Sequence, residues 1–484
     1  MTPETAIFAA LATPVLGAAV IAASGRAPNL REALTLVTAA ALFVLVLSIA
    51  DDVLAGARPA LTLFEMMPGL AVGFEVEPLG MLFALIASGL WIVNSIYSIG
   101  YMRANREAHQ TRFYVCFAAA IAAAIGIAFA GNLLTLFLFY EALTLVTYPL
   151  VTHAGTEDAK RAGRTYLGLL VGTSIVFLLV AIVWTYELTG TTDFRSGGLF
   201  GADTDRTTLA VLLALFVFGV GKAALMPVHR WLPAAMVAPT PVSALLHAVA
   251  VVKAGVFCIV KIVVYVLGVD TLAQSGAATW LPFVAGFTIL AASVVALRAD
   301  NLKRRLAYST VSQLSYVVLA AAILTPLSIV GATMHIAAHA LSKITLFFAA
   351  GAIYTAAHKT EVSELDGIGR RMPWTMGAFT LGALSLIGIP PCIGFVSKWF
   401  MIQGAFEAAM WPAAAVFLAS TLLNAAYFMP IVYAAFFRPA TGKEHGEAPV
   451  TMVLALSLTA AGTVILFFVP EVPLALARSV AGLP

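Results

Sequence analysis

Residues 132–153 read NLLTLFLFYEALTLVTYPLVTH, an apolar run of 22 residues whose one charged side chain, Glu141, stands near the middle. A helix of that length covers about 33 Å, enough to cross the roughly 30 Å of hydrocarbon in a bilayer. An ionisable group at mid-bilayer depth costs roughly 2.5–3.5 kcal/mol on insertion scales, so chains keep one mainly where charge or protons must cross. Glu141 reads as the single acid set deep in an apolar segment of this chain. Lys222, Lys253, Lys343 and Lys398 stand mid-segment in four others, and Lys261 is a fifth deeply placed lysine. One buried acid and several buried bases along a polytopic chain read as a proton path.

Composition carries the same class over the whole length. The 484 residues are 61% hydrophobic and 11% charged, with a mean hydropathy of +0.97, far from a soluble domain. Apolar stretches long enough to span fall at 5–23, 31–50, 78–99, 112–130, 132–153, 163–187, 207–238, 240–267, 280–298, 302–323, 326–357, 373–408, 411–437 and 450–470. The expected fold is an all-α polytopic membrane protein with about 14 transmembrane helices. The stretch at 207–238 is too long for one straight crossing and carries Pro227 and Pro233; that at 373–408 holds Pro390 and Pro391. Each is expected to be two half-helices around a break, which requires protein or water to satisfy the freed backbone groups. The N-terminal Met1-Thr2-Pro3-Glu4 lacks a positive n-region, so the first span is expected to be retained. Cys116, Cys258 and Cys392 fall inside spans without a CxxC, which points to core packing rather than a disulfide, iron–sulfur or zinc site. Residues 1–484 read as a single membrane domain.

Charge sets an orientation. Loops after odd-numbered spans, from Arg26 to Lys443, carry 18 Lys and Arg; the other loops and the tail carry 4, at Arg58, Arg195, Arg206 and Arg478. By the positive-inside rule the first set faces the cytoplasm and both termini face outward. The formal net charge of +3 is therefore topological and implies no nucleic-acid partner.

Each polar constellation has a bland and a functional reading. Lys222, five residues before Pro227, is the expected ammonium partner of Glu141. A purely structural ion pair is the alternative, although such pairs add little net stability after desolvation. Helix breaks beside ionisable groups recur at transport sites. In PVSALLHAVAVVKAGVF, His247 and Lys253 stand about 120° apart and share a face only if the helix is distorted. Lys253 reads as functional, His247 divides evenly between a relay and a packing role, and Lys261 reads as structural. In MHIAAHALSKITLF, His335, His339 and Lys343 form one stripe about 12 Å long. A metal is disfavoured, since no carboxylate shares the span and a cation stands at i+8; neutral imidazoles both accept and donate, which suits a relay. Ser309, Ser312, Gln313, Ser315 and Tyr316 supply polar groups one span earlier. Lys398, seven residues after Pro391, reads as a terminal site rather than a snorkelling lysine.

These segments together resemble a known family. GNLLTLFLFYEALTL, VGKAALMPVHRWLPAAMVAPTPVSALLHA, LKRRLAYSTVSQLSY, AAHALSKITLF and IPPCIGFVSKWF are similar to the antiporter-like subunits shared by respiratory complex I and Mrp-type multisubunit cation/proton antiporters, over roughly residues 78–440. The resemblance implies two inverted five-helix repeats, 112–267 and 280–437, each with a broken helix. It implies that Glu141 pairs with Lys222, that Lys253 and His339 form a central relay, and that Lys398 is the terminal site. The missing long lateral helix after the last span, and Lys rather than Glu at 398, make the D-type Mrp subunit the best description; the His335–His339–Lys343 stripe is also seen in L-type members. The implied function is proton translocation in a cation (Na+)/H+ antiporter of a bacterial inner membrane. Its partners would be other membrane subunits, lipid, protons and Na+, with no cofactor and no covalent chemistry. The alternative is a proton-pumping subunit of a complex I-like NADH-quinone oxidoreductase or membrane-bound hydrogenase. Intake is expected at Glu141–Lys222, with passage along Lys253, His339 and Lys343 to Lys398. A solitary solute transporter and an inert scaffold are the rival classes.

Overall fold

The computed structural model describes residues 2–67, 70–201, 203–440 and 445–484; Lys443, counted above among the cytoplasmic cations, lies outside them. Two helices, α1 (Pro3–Ala23) and α2 (Pro28–Leu54), lead into a hairpin of β1 (Ala60–Met67) and β2 (Leu70–Glu75). Then follow α3 (Pro78–Ala104), α4 (Gln110–Ala128), α5 (Leu133–Val151), α6 (Glu157–Thr189), α7 (Arg206–Gly219), α8 (Thr240–Leu267), α9 (Leu281–Arg298), α10 (Leu302–Ile323) and α11 (Pro326–Ala357). The chain closes with α12 (Pro373–Ile387), α13 (Ile393–Glu407), α14 (Trp411–Phe437), α15 (Val450–Phe468) and a short α16 (Glu471–Val480).

Twelve of these helices are long and apolar enough to cross a bilayer among the described residues. With the two interrupted segments they coincide with the fourteen apolar stretches of the sequence. The chain is a multi-pass membrane protein. Both expected breaks are present, but they differ. At 373–408, α12 and α13 are separate half-helices on either side of Pro390–Pro391. At 207–238, α7 ends at Gly219 and only short helical pieces follow, up to Val237; within that stretch Pro227 and Pro233 each remove a backbone donor.

Three features were not read from the sequence. The β1–β2 hairpin departs from an all-α reading, and its Leu61-Thr62-Leu63 alternation was hidden among apolar neighbours. α6 contains a π-helical stretch at Ser174–Leu178, and α8 contains two, at Leu245–Val249 and Val263–Leu267. Finally, α8 is buried throughout, as α10 and α11 nearly are, whereas α1, α2 and α14 present two thirds of their spans outward. The molecule is thus a polar-cored bundle around α8, α10 and α11 with an apolar jacket.

Buried ion pairs tie the jacket down. Glu32 on α2 accepts from Arg103 Nε on α3 at 3.0 Å and lies 3.5 Å from Arg31. On the opposite face Glu77 caps α3, accepting from Leu79 N at 2.6 Å and Gly80 N at 2.9 Å.

Candidate functional site

The lysines named from the sequence line the core: Lys222 and Lys343 are fully buried, Lys253 is 1% exposed and Lys398 5%. Lys222 lies on a 3₁₀ turn, Gly221–Ala223, just past the end of α7. Its Nζ donates to the Tyr140 carbonyl at 2.8 Å and to Thr144 Oγ1 at 2.6 Å, and sits 3.1 Å from the Tyr140 ring centre. The expected Glu141–Lys222 ion pair is not formed. Tyr140 and Thr144 are one turn apart on the same face of α5, whereas Glu141 is rotated about 100° from Tyr140. Glu141 is half-buried, its Oε1 has no hydrogen-bond partner, and it acts on Lys222 only through space.

Gly255 on α8 explains how the next lysine comes close. A Cβ there would stand 2.3 Å from the Lys222 carbonyl carbon and from Ala223 N. The helix carrying Lys253 therefore packs on the backbone of Lys222 itself, an approach only glycine permits. Lys253 Nζ hydrogen-bonds His339 Nδ1 on α11. His339 stacks on His335, ring centres 6.1 Å apart. His335 holds Ser397 Oγ and Gln313 Oε1, each at 2.9 Å, through its two ring nitrogens. Tyr316 links to the last lysine: its ring lies 5.7 Å from that of His335, and Lys398 Nζ lies 4.7 Å from its centre.

Lys398 is held by the helix break. Its Nζ donates to the carbonyls of Leu386 at 2.7 Å and Ile387 at 3.1 Å, groups that the end of α12 leaves without intrahelical donors. Lys343, one turn beyond His339, turns aside to Ser309 Oγ at 2.9 Å and the Leu306 carbonyl at 3.4 Å. Tyr427 on α14 donates to the same Ser309 at 3.1 Å. Ser312 meets Ser293 at 3.0 Å, and Ser315 bonds within its own helix to Val311. His247, on the first π-helical stretch of α8, packs against Phe347 at 4.8 Å and contacts neither Lys253 nor any other hydrogen-bonding group through its nitrogens.

A second buried acid stands outside the apolar segments. Glu77, 3% exposed, pairs with Lys261 at 3.0 Å, accepts from Tyr265 at 3.2 Å, and lies outside any apolar run. Lys261 also donates to the Ala130 carbonyl at 2.9 Å. Its charge is thereby fully used, as a structural lysine's would be. Thr144, Ser397, Asn424 and Tyr427 escaped the sequence reading. Thr144 and Ser397 had one usable signal, a hydroxyl within a turn of a named ionisable residue. Asn424 and Tyr427, on α14, had none.

Several buried polar atoms along this row have no protein partner: both His247 nitrogens, His339 Nε2, Gln313 Nε2 and Asn424 Nδ2. Chemically, the row offers alternating donors and acceptors contributed by α8, α10, α11 and α13.

Comparison with known proteins bears on this arrangement. The transmembrane family described as "NADH:quinone oxidoreductase/Mrp antiporter, TM" matches residues 130–424. The NADH-quinone oxidoreductase subunit N of Desulforudis audaxviator is 31% identical over 417 residues, 82% of this chain and 82% of that protein. The D-type subunit of the Na(+)/H(+) antiporter of Alkalihalophilus pseudofirmus is 30% identical over 356 residues, 73% of this chain and 71% of that one. A chain in the structure of the Mrp complex from Dietzia sp. DQ12-45-1b superposes with a TM-score of 0.88 at 22% identity, covering 100% of this chain and 97% of its own. That likeness is one of fold.

Proposed function

The chain belongs to the NADH:quinone oxidoreductase/Mrp antiporter transmembrane family, and from that premise we propose that it is the proton-translocating membrane subunit of a multisubunit cation (Na+)/H+ antiporter, of the D type. The observation that carries this reading is the row Lys253–His339–His335–Tyr316–Lys398 across four helices, joined by one hydrogen bond, Lys253 to His339, and then by ring neighbours 4.7–6.1 Å apart. Lys222 joins it at Gly255. A proton moves along this row between imidazole nitrogens, ammonium groups and intervening water, which the unpartnered nitrogens and amides accept. Charge on one member alters how readily its neighbours hold theirs, so each transfer is linked to the next. Glu141 contributes by field rather than contact.

The chain supplies no covalent chemistry of its own in this reading. It is organised as two inverted repeats, 112–267 and 280–437, and lies in a bacterial inner membrane with both termini outside. It works beside other membrane subunits; the names of both relatives describe those proteins as subunits. A second reading, a proton-pumping subunit of a complex I-like oxidoreductase, is favoured by the likeness to subunit N over most of both chains. The test is Lys253→Met in the assembled complex, with proton flux followed by a pH-sensitive dye in inverted vesicles. Methionine keeps the volume and removes the titratable group, so transport is expected to fall by about a hundredfold or more. Transport at the wild-type rate refutes the proposal.

A further inference from the structure

Beside the row, one buried hydroxyl stands where α11 meets both halves of the broken helix. Ser385, on the last turn of α12, is fully buried, as is Ser342 on α11. The two hydroxyls are 2.7 Å apart, and Ser342 also bonds the Ala338 carbonyl of its own helix at 2.7 Å. On its other side Ser385 Oγ accepts from Gly394 N, 3.3 Å away, in the first turn of α13. That amide is one of those a helix start leaves without an internal partner. A single side chain therefore ties the end of one half-helix to the start of the other, and to the helix that carries His335, His339 and Lys343.

The tie is short because the backbones are close. Gly382, one turn before Ser385, lets α12 approach α11: a Cβ there would lie 3.1 Å from the Ser342 carbonyl oxygen. Burying a hydroxyl costs free energy that its hydrogen bonds do little more than offset. An alanine would serve packing as well, so the hydroxyl at 385 calls for another use.

That use lies in the next two residues. Leu386 and Ile387 supply the carbonyls that accept from Lys398 Nζ at 2.7 and 3.1 Å. Gly388 follows with φ 91°, and a Cβ there would stand 2.8 Å from Lys398 Cδ, so the lysine stem runs directly past the helix end. Where those carbonyls point depends on how the end of α12 sits against α13, which carries the lysine. Gly394 continues the link on the α13 side. Its carbonyl accepts from Ser397 Oγ at 3.1 Å, and Ser397 in turn bonds His335 Nδ1 at 2.9 Å. The titratable groups around Lys398 are Tyr316 on α10 and His335 on α11.

We propose that Ser385 is a positioning residue for the terminal site. Its hydroxyl fixes the end of α12 against α11 and α13, so that the Leu386 and Ile387 carbonyls stay aimed at Lys398 whether or not the lysine carries its proton. The inference rests on the proton-translocating reading above, and deepens it by naming what holds the terminal site in shape. Carbonyl dipoles fixed in advance favour an ammonium more than carbonyls free to turn away. The pH profile of transport therefore reads the hold on Lys398.

Proton flux is followed against pH in inverted vesicles holding the assembled complex. Ser385→Ala is expected to slow transport about tenfold and to displace the alkaline limb of the profile toward acid by about one unit. Ser342→Ala removes one of the two ties and is expected to displace the same limb in the same direction, by less. The control is Ser88→Ala on α3, a buried serine that donates to the Ala84 carbonyl of its own helix at 2.7 Å; its loss should leave the profile in place. A limb that Ser385→Ala moves no further than Ser88→Ala does overturns the proposal, even where the rate falls. A second measurement is independent of transport. Melting temperatures of the detergent-solubilised complex are compared for Ser385→Ala, Lys398→Met and the double variant. Positioning predicts that Ser385→Ala lowers the melting temperature less in the Lys398→Met background, where the carbonyls have no ammonium to hold. An equal or larger loss there overturns it. If Lys398→Met transports at the wild-type rate, the terminal site fails as a function, and the melting comparison still decides the role of Ser385.

Discussion

At single residues, charge and partner separate the working groups from the structural ones. Glu141 has an oxygen without a partner and makes no contact with Lys222, so Glu141→Ala removes a charge and no hydrogen bond. Its stability is expected to stay within about 0.5 kcal/mol of wild type, with the complex assembled and proton flux abolished. Intact assembly on a native gel together with wild-type flux would count against any role in transport. Glu77 is the opposite case, since Lys261, Tyr265 and two backbone amides all converge on its carboxylate. Glu77→Ala leaves Lys261 buried and unpaired, a loss of about 3–5 kcal/mol. It should appear as a lowered melting temperature of the detergent-solubilised protein. The identities of the deep lysines and histidines were legible because a charge inside an apolar run has no other cheap explanation. Their partners were not: Glu77 hides at a helix start, and which face of α5 meets Lys222 depends on where the chain resumes after Gly219.

At the scale of helices, two glycines govern whether the row can form. Gly255 lets α8 rest on the Lys222 backbone. At Gly394 a Cβ would stand 1.8 Å from the Ser385 carbonyl oxygen, so α13 crosses α12 there at backbone distance, four residues before Lys398. Gly255→Val is expected to destabilise by about 1–3 kcal/mol through overpacking, and to abolish transport with every titratable group still present. Gly168→Ala on α6, where nothing lies within 4 Å of the added Cβ, is the matched control and should be silent in both thermal unfolding and flux. Full activity in Gly255→Val would mean that Lys222 and Lys253 need not be close. The helices themselves were legible from apolar runs, and the breaks from Pro227 and Pro390–Pro391. The π-helical stretches of α8 were not, because a wider turn changes hydrogen bonding without changing the apolar pattern. The same distortion is why the 120° separation of His247 and Lys253 did not decide their relation. The β1–β2 hairpin was lost for a related reason, since alternation among uniformly apolar residues carries little signal.

For the molecule as a whole, the outstanding quantity is its orientation, and the sequence and fold constrain it together. Taken as single crossings, the twelve long spans and two interrupted ones are even in number, which is why the proposed orientation puts both termini on one side. The connections assigned to the other side hold 18 of the 22 cations outside the spans, and two of these, Lys303 and Lys359, line a cavity together with Glu107. Lys and Arg beside spans are retained on the cytoplasmic side. A missed crossing early in the chain would have mixed the two sets of loops, so the sharpness of the split and the number of spans support each other. Alkaline phosphatase fused after Pro484 is therefore expected to be active in intact cells, and green fluorescent protein at the same position to be dark. Fusions in the connection between α9 and α10, at Asp300, should give the reverse. If the C-terminal phosphatase is inactive while the Asp300 fusion is active, the molecule is turned over. The Glu107 cavity would then face outward, and the same row of lysines and histidines would draw protons from the opposite compartment.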